Sequence, residues 1–247
     1  GGMMKTITLK QITLSLLVSG ITLNAQAASE YTHPMQMMGD DNMGGMMLNR
    51  FERTHSNQQS SAAYEMMAIY GQPLNRAVLK SDGMIAQGKL DARTELLWGH
   101  AIHASWDSQL GLRNDSGAMP NRNWLAFGVQ GIAPYWFNVE ATAYLGESGR
   151  SALRVASEYD LLLTQKWVLQ PRLEGNFYGQ SDAARNLGSG LSDVVLGLRL
   201  RYEFHREFAP YIGIECASKF GGTTDFAKLS GEPVNQTRAV SGLKFWY

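Results

Sequence analysis

Residues 191–204, LSDVVLGLRLRYEF, alternate between two chemistries without a break. Val194, Leu196, Leu198, Leu200, Tyr202 and Phe204 fall on one side, and Asp193, Arg199, Arg201 and Glu203 on the other. A period of two is the signature of a β-strand, whose successive side chains point to opposite faces. On a helix the same charges would be smeared around the circumference. A soluble β-sandwich is the competing fold, but it would have to accommodate charged positions around its core, where unpaired charges are costly. A membrane barrel turns the apolar face to lipid and the charged face to a polar lumen.

The same parity recurs along the chain. In 150–164, Leu153, Val155, Tyr159, Leu161 and Leu163 oppose Arg154, Glu158 and Asp160. In 166–180, Trp167, Leu169, Leu173 and Phe177 oppose Arg172, Glu174, Asn176 and Tyr178. In 104–114, Trp106, Leu110 and Leu112 oppose Asp107, Gln109 and Arg113, and the last segment sets Leu243, Phe245 and Tyr247 against Arg238 and Lys244. Short connections at 71–75, 102–105, 132–135, 164–166 and 205–207 alternate with longer polar ones at 114–121, 181–189 and 221–235. Outer-membrane barrels have short periplasmic turns and longer outside loops. The expectation is therefore an all-β, transmembrane, antiparallel up-and-down β-barrel. Barrels of this kind take an even number of strands, so Met46–His55, whose parity is ambiguous, is added as a first strand to reach about 12.

Inward parity places Glu65, Asp82, Glu140, Glu174 and Glu215 in the lumen, with Lys80, Arg93, Arg154, Arg172 and Arg199 among their counter-charges. Near-balanced signs predict an ion-paired interior that stiffens a narrow barrel rather than a wide pore.

Ahead of the barrel, residues 1–28 read as a tag remnant (Gly1, Gly2) and a signal peptide. Lys5 and Lys10 are followed by the apolar stretch Ile12–Leu23, and Ala25-Gln26-Ala27 forms an A-x-A cleavage site. Cleavage removes two lysines and no acid, turning a net charge of zero into −2. A near-neutral mature chain has no electrostatic reason to bind nucleic acid. The lone Cys216 excludes an intramolecular disulfide. The chain divides on this reading into 1–28, a flexible Met-rich periplasmic segment at 29–45, and a barrel at 46–247.

The Met-rich segment carries the clearest chemistry. His33, Met35, Met37, Met38, Met43, Met46 and Met47 cluster around Gly39, Gly44 and Gly45, with few branched aliphatic residues to build a core. Thioethers are soft ligands that select Cu(I), and imidazole accepts either copper oxidation state. Met67 and Met84 face inward by parity and are candidates to continue a thioether path. His55, at the outer end of the first segment, is a candidate metal ligand at the exit. His100 and His103 are separated by an odd spacing and face opposite sides. An outer-membrane lipid hydrolase would need serine, histidine and a polar orienter on adjacent strands outside. His100 and Ser105 instead fall at a periplasmic turn, so no enzyme is expected.

Several long stretches resemble the CopB/PcoB copper resistance family. They are GVQGIAPYWFNVEATAYLGESGRSALRVASEYDLLLTQKWVLQPRLEGNFYG (128–179), GSGLSDVVLGLRLRYEFHREFAPYIGIE (188–215), FGGTTDF (220–226) and the ending LKFWY. The resemblance covers residues 48–247. It implies an outer-membrane barrel in a periplasmic copper resistance system, with copper ions and outer-membrane lipid as partners and a periplasmic multicopper oxidase as companion. It also implies that the aromatic last strand serves as a barrel-assembly signal. Several family members carry a long array of repeated His/Met motifs; only the short cluster Met35–Met47 stands here, which argues against high-capacity storage. The function expected is copper binding through the N-terminal Met/His cluster, with movement or sequestration across the outer membrane. A docking barrel for the oxidase is the alternative.

Overall fold

The computed structural model describes residues 42–55, 60–86, 88–117, 120–205 and 207–247. Its strands are β1 (Met43–His55), β2 (Ser60–Gly71), β3 (Asn75–Ala86), β4 (Lys89–His103), β5 (Trp106–Ser116), β6 (Arg122–Ala133) and β7 (Phe137–Gly146). They continue as β8 (Ser151–Glu158), β9 (Leu161–Leu162), β10 (Trp167–Tyr178), β11 (Gly190–Tyr202), β12 (Phe208–Lys219) and β13 (Asn235–Trp246), with one helix, α1 (Gly221–Ser230), before the last strand. Apart from β8 and β9, each strand pairs antiparallel with its chain neighbours, and β13 pairs with β1 to close the sheet. β8 and β9 both pair with β10 and form one interrupted stave. The result is a closed barrel of twelve staves, as the alternation requires.

Apart from the two-residue β9, which pairs with β10 only, closure gives each strand a partner on both edges, the condition for a sheet to cross lipid. The outer wall is apolar: Leu96, Leu112, Leu125, Leu145, Leu196, Leu198, Ile212 and Ile214 all lie exposed. An aromatic girdle surrounds the short-turn end, with Tyr70, Trp98, Trp136, Trp167, Phe204, Phe245 and Tyr247 exposed. Trp167 and Phe204 meet Tyr202 edge-on at 4.8 and 4.6 Å. Such girdles mark a membrane–water interface.

β1 runs from the short-turn end upward and carries a β-bulge. Its register against β2 shifts between Leu48 and Arg50, and against β13 between Leu48 and Phe51. The extra residue resets the parity, which is why the strand reads ambiguously in sequence. It also begins at Met43, so Met43, Gly44 and Gly45 belong to the strand. The connection after β12, expected as a plain polar loop, contains α1. The helix ends in a left-handed Gly231 (φ 72°) that donates to the carbonyls of Ala227 and Lys228.

Candidate functional site

The interior is the site. Glu52, Arg199 and Glu215 form its most buried charged group. Arg199 Nη2 donates to Glu52 at 3.0 Å and to Glu215 at 2.7 Å, joining β11, β1 and β12. Tyr211 Oη donates to Glu52 at 3.1 Å, and Arg238 closes on Glu215 at 2.7 Å. Such long side chains fit only where the facing wall is bare. A Cβ on Gly242 would lie 2.7 Å from the Tyr211 hydroxyl and 2.8 Å from Glu52 Cβ.

Further ion pairs link neighbouring strands and, in places, reach across the lumen. Arg50 pairs with Glu65 at 2.6 Å, and Arg172 of β10 joins Glu65 of β2 at 3.1 Å and Glu174 at 3.0 Å. Arg154 holds Glu174 and Glu140, Lys80 pairs with Glu140 at 3.1 Å, and Arg76 pairs with Asp107. On the side of β3, β4, β6 and β7 the inner wall is apolar, built from Val78, Leu97, Trp124, Ala126 and Tyr144. Arg113 lies over the Tyr144 ring at 4.4 Å and chelates Asp115. The lumen is thus an ion-paired filling, and inward parity is correct for the charged positions tested by these contacts. Arg50 and Glu52 escape the parity reading because the bulge precedes them. Lys219, opposite Asp193 at the long-loop mouth, pairs with Glu232 in the loop after α1.

At the long-loop end the filling opens into a cavity of about 390 Å³, lined by Asp82, Met84, Arg93, Arg113, Asp193 and Arg238 among others. The connection between β10 and β11 folds across this mouth. Its Arg185 reaches Asp115 and Asp91, both at 3.5 Å. Arg122, at the start of β6, grips Asp182 with two hydrogen bonds of 2.9 and 3.2 Å, and Arg150 lies 3.6 Å away. The hydrogen bonds from Arg122 hold the Asp182 carboxyl below the usual carboxylate range. α1 backs this strap: Gly188 N donates to Thr223 Oγ1 at 2.9 Å, and Thr223 meets Ser192 at 2.9 Å. A Cβ on Gly188 would sit 2.3 Å from Thr223 N, so only glycine admits the helix this closely.

The methionines divide by place. His33, Met35, Met37 and Met38 lie outside the described residues. Met43 is the first residue of β1, and Met46 points outward. Met47 registers directly opposite Met67 of β2, and Met67 packs on the inner apolar wall, so this pair faces the lumen at the short-turn end. Met84 sits four residues further along β3 than Lys80, the partner of Met67, which is about 13 Å at strand rise. It lies at the opposite mouth, where Arg238 Nη1 approaches its sulfur at 4.0 Å. The structure therefore brings Met47 to Met67 and leaves Met84 apart. Among the described residues no group of three or more His, Cys, Asp or Glu side chains is arranged to hold a metal. His55 lies on the outward face of β1, away from the lumen.

The hydrolase alternative has a sharper geometry than the sequence suggests. Asn75, His100 and Ser108 register side by side on β3, β4 and β5, all outward, with His100 Nδ1 and Asn75 Oδ1 2.9 Å apart. Ser108 Oγ, however, donates to the backbone carbonyl of His100 at 3.3 Å rather than engaging the imidazole.

A closed meander with a lipid-facing apolar wall, an interfacial aromatic girdle and a polar interior defines a transmembrane β-barrel of the outer-membrane type. Among solved structures its fold is similar to a KdgM porin (TM-score 0.51, 13% identity, 81% of this chain and 98% of that one). A NanC porin is likewise similar (TM-score 0.53, 11% identity, 81% and 98%). Those likenesses concern the fold alone. The sequence goes further: residues 42–247 match the family described as Copper resistance protein B precursor (CopB). The chain is 40% identical over 227 residues to a Copper resistance protein B homolog from Pseudomonas syringae pv. tomato, covering 91% of this chain and 77% of that protein. It is 41% identical over 203 residues to Copper resistance protein B from Escherichia coli, covering 82% and 69%. The chain belongs to the copper resistance protein B family, and its role is in copper resistance. The family's names suggest a non-enzymatic protein.

Proposed function

We propose that the barrel sits in the outer membrane with its short-turn end in the periplasm. There it binds copper, chiefly as Cu(I), through the segment from His33 to Met47 and helps move or sequester it across the membrane. The observation that carries this reading is the inward-facing pair Met47 and Met67, at the end of the barrel where β1 enters. Thioethers converging there continue, into the wall of the barrel, the soft-ligand chemistry of the segment before it. Met84 at the far mouth is a separate sulfur, reached only past the ion-paired filling.

The filling itself favours a second reading, in which the barrel docks a periplasmic multicopper oxidase and little copper crosses. One preparation separates the two. The full chain with Met35, Met37, Met38, Met43, Met46 and Met47 all replaced by leucine keeps bulk and apolarity but loses sulfur. Competition against a chromophoric Cu(I) chelator should show weakened binding by this variant. Native binding should persist in mild acid, because a thioether has no proton to lose. Equal affinity of the two proteins removes the copper-binding reading. Retained binding with no copper flux through proteoliposomes supports the docking barrel.

A further inference from the structure

Arg53 breaks the pattern that governs the rest of the outer wall. On the described strands the outward positions are apolar, small or uncharged, and the permanent charges point inward; Arg53 alone among those residues points out. Its direction follows from its neighbours. Glu52 and Thr54 are buried in the interior, while Phe51, Arg53 and His55 are exposed. Register sets Ala62 of β2 on one side of Arg53 and Ser241 of β13 on the other, both too short to cover it. These small residues leave an outward groove of about 550 Å³, lined by Phe51, Arg53, Ala62, Ser241 and Leu243 among others. No ion pair or hydrogen bond engages the Arg53 guanidinium among the described residues.

The depth of the residue narrows what can meet it. Arg53 stands two positions before the end of β1, at the long-loop end. An outward arginine costs about 2–4 kcal/mol at the bilayer midplane but only ~0–1 kcal/mol near an interface. A guanidinium at that level presents a planar fork matched to phosphate oxygens. Below it Phe51 and Leu243 add an apolar lining to the groove. We propose that this groove binds one phosphorylated, multi-acylated glycolipid of the outer leaflet, of the lipid A type. A phosphate rests on Arg53 and one acyl chain lies along Phe51 and Leu243. The assignment rests on the proposed orientation of the barrel and is independent of copper.

Native mass spectrometry of the full barrel in detergent tests it, with three lipids added in turn: diphosphorylated lipid A, the same lipid stripped of phosphate, and phosphatidylglycerol. The wild type should retain diphosphorylated lipid A preferentially, and inorganic phosphate should not displace it. Arg53→Leu should retain about ten-fold less, the scale of one charge-assisted contact. Ser241→Leu, which leaves the charge but fills the groove, should lose the lipid as well while keeping the heat-modifiable mobility of a folded barrel. Equal retention by Arg53→Leu, equal retention of the dephosphorylated lipid, or displacement by phosphate alone would overturn the site. Preference for phosphatidylglycerol would overturn the orientation on which it rests, without touching the copper-binding measurement.

Discussion

Arg199→Leu should destabilise the barrel by about 3 kcal/mol, the low end of the ~3–5 kcal/mol cost of breaking a buried ion pair. The reasoning follows what each carboxylate keeps. Glu215 retains Arg238 at 2.7 Å and stays neutralised. Glu52 loses three hydrogen bonds of 3.0 to 3.2 Å and is left with the Tyr211 hydroxyl at 3.1 Å and Arg50 at 3.8 Å. One carboxylate is therefore stranded rather than two. Because the cost is that of an orphaned charge, removing the charge should relieve it. Arg199→Leu combined with Glu52→Gln should recover about 2 kcal/mol of the loss, a coupling typical of residues in one network. Urea titration of barrels folded into vesicles, followed by tryptophan fluorescence, measures both quantities. The loss should change little with salt, since buried pairs are weakly screened. A single-variant effect below about 1 kcal/mol, or simple additivity in the double variant, would refute the view of the lumen as a mutually neutralised filling.

Two other perturbations probe the wall and the mouth. Leu198→Arg places a charge on the exposed outer face and should cost about 2–4 kcal/mol in the same titration if Leu198 is at the bilayer midplane; a neutral result would reverse the assignment of faces. The Arg122–Asp182 latch contributes above the ordinary aspartate pKa of about 3.9 and is lost only as pH falls through the lower value Asp182 takes in the folded state. Hydrogen exchange in 179–189, corrected for its intrinsic pH dependence, should thus stay slow down to about pH 5 and rise only in stronger acid. Loss of protection already at pH 5 would show that another contact holds the strap.

Strand faces were legible in the sequence because parity is a local property: Arg199 and Leu198 declare opposite sides without reference to any partner. Partners are not local. Nothing within β11 indicates that Arg199 meets Glu52 from the far end of the chain, because that contact depends on how the sheet closes. The bulge in β1 defeats parity outright, since one inserted residue flips every later side chain, and so Arg50 and Glu52 were invisible as lumen residues. The strap is a third case. Asp182 and Arg185 sit in a polar connection that looks like any solvated loop, and only the return of the chain over the mouth gives them Arg122, Asp91 and Asp115. α1 left a faint trace in Gly231, a residue suited to the left-handed end of a helix.

Met46 and Tyr247 exchange two backbone hydrogen bonds, each of 2.9 Å, where β1 meets β13. That seam orders events in time. The hairpin of β1 and β2, which sets Met47 against Met67, is a local pairing that can form early, but the seam joins the two ends of the sheet and must wait for everything between them. Until it zips, β1 is a bare edge, open to pairing with other chains. Closure and the placing of Met47 are thereby coupled: the strand that carries it acquires its second neighbour only when the final strand arrives, so an interrupted chain would hold Met47 on an unfinished margin rather than within a sealed cylinder.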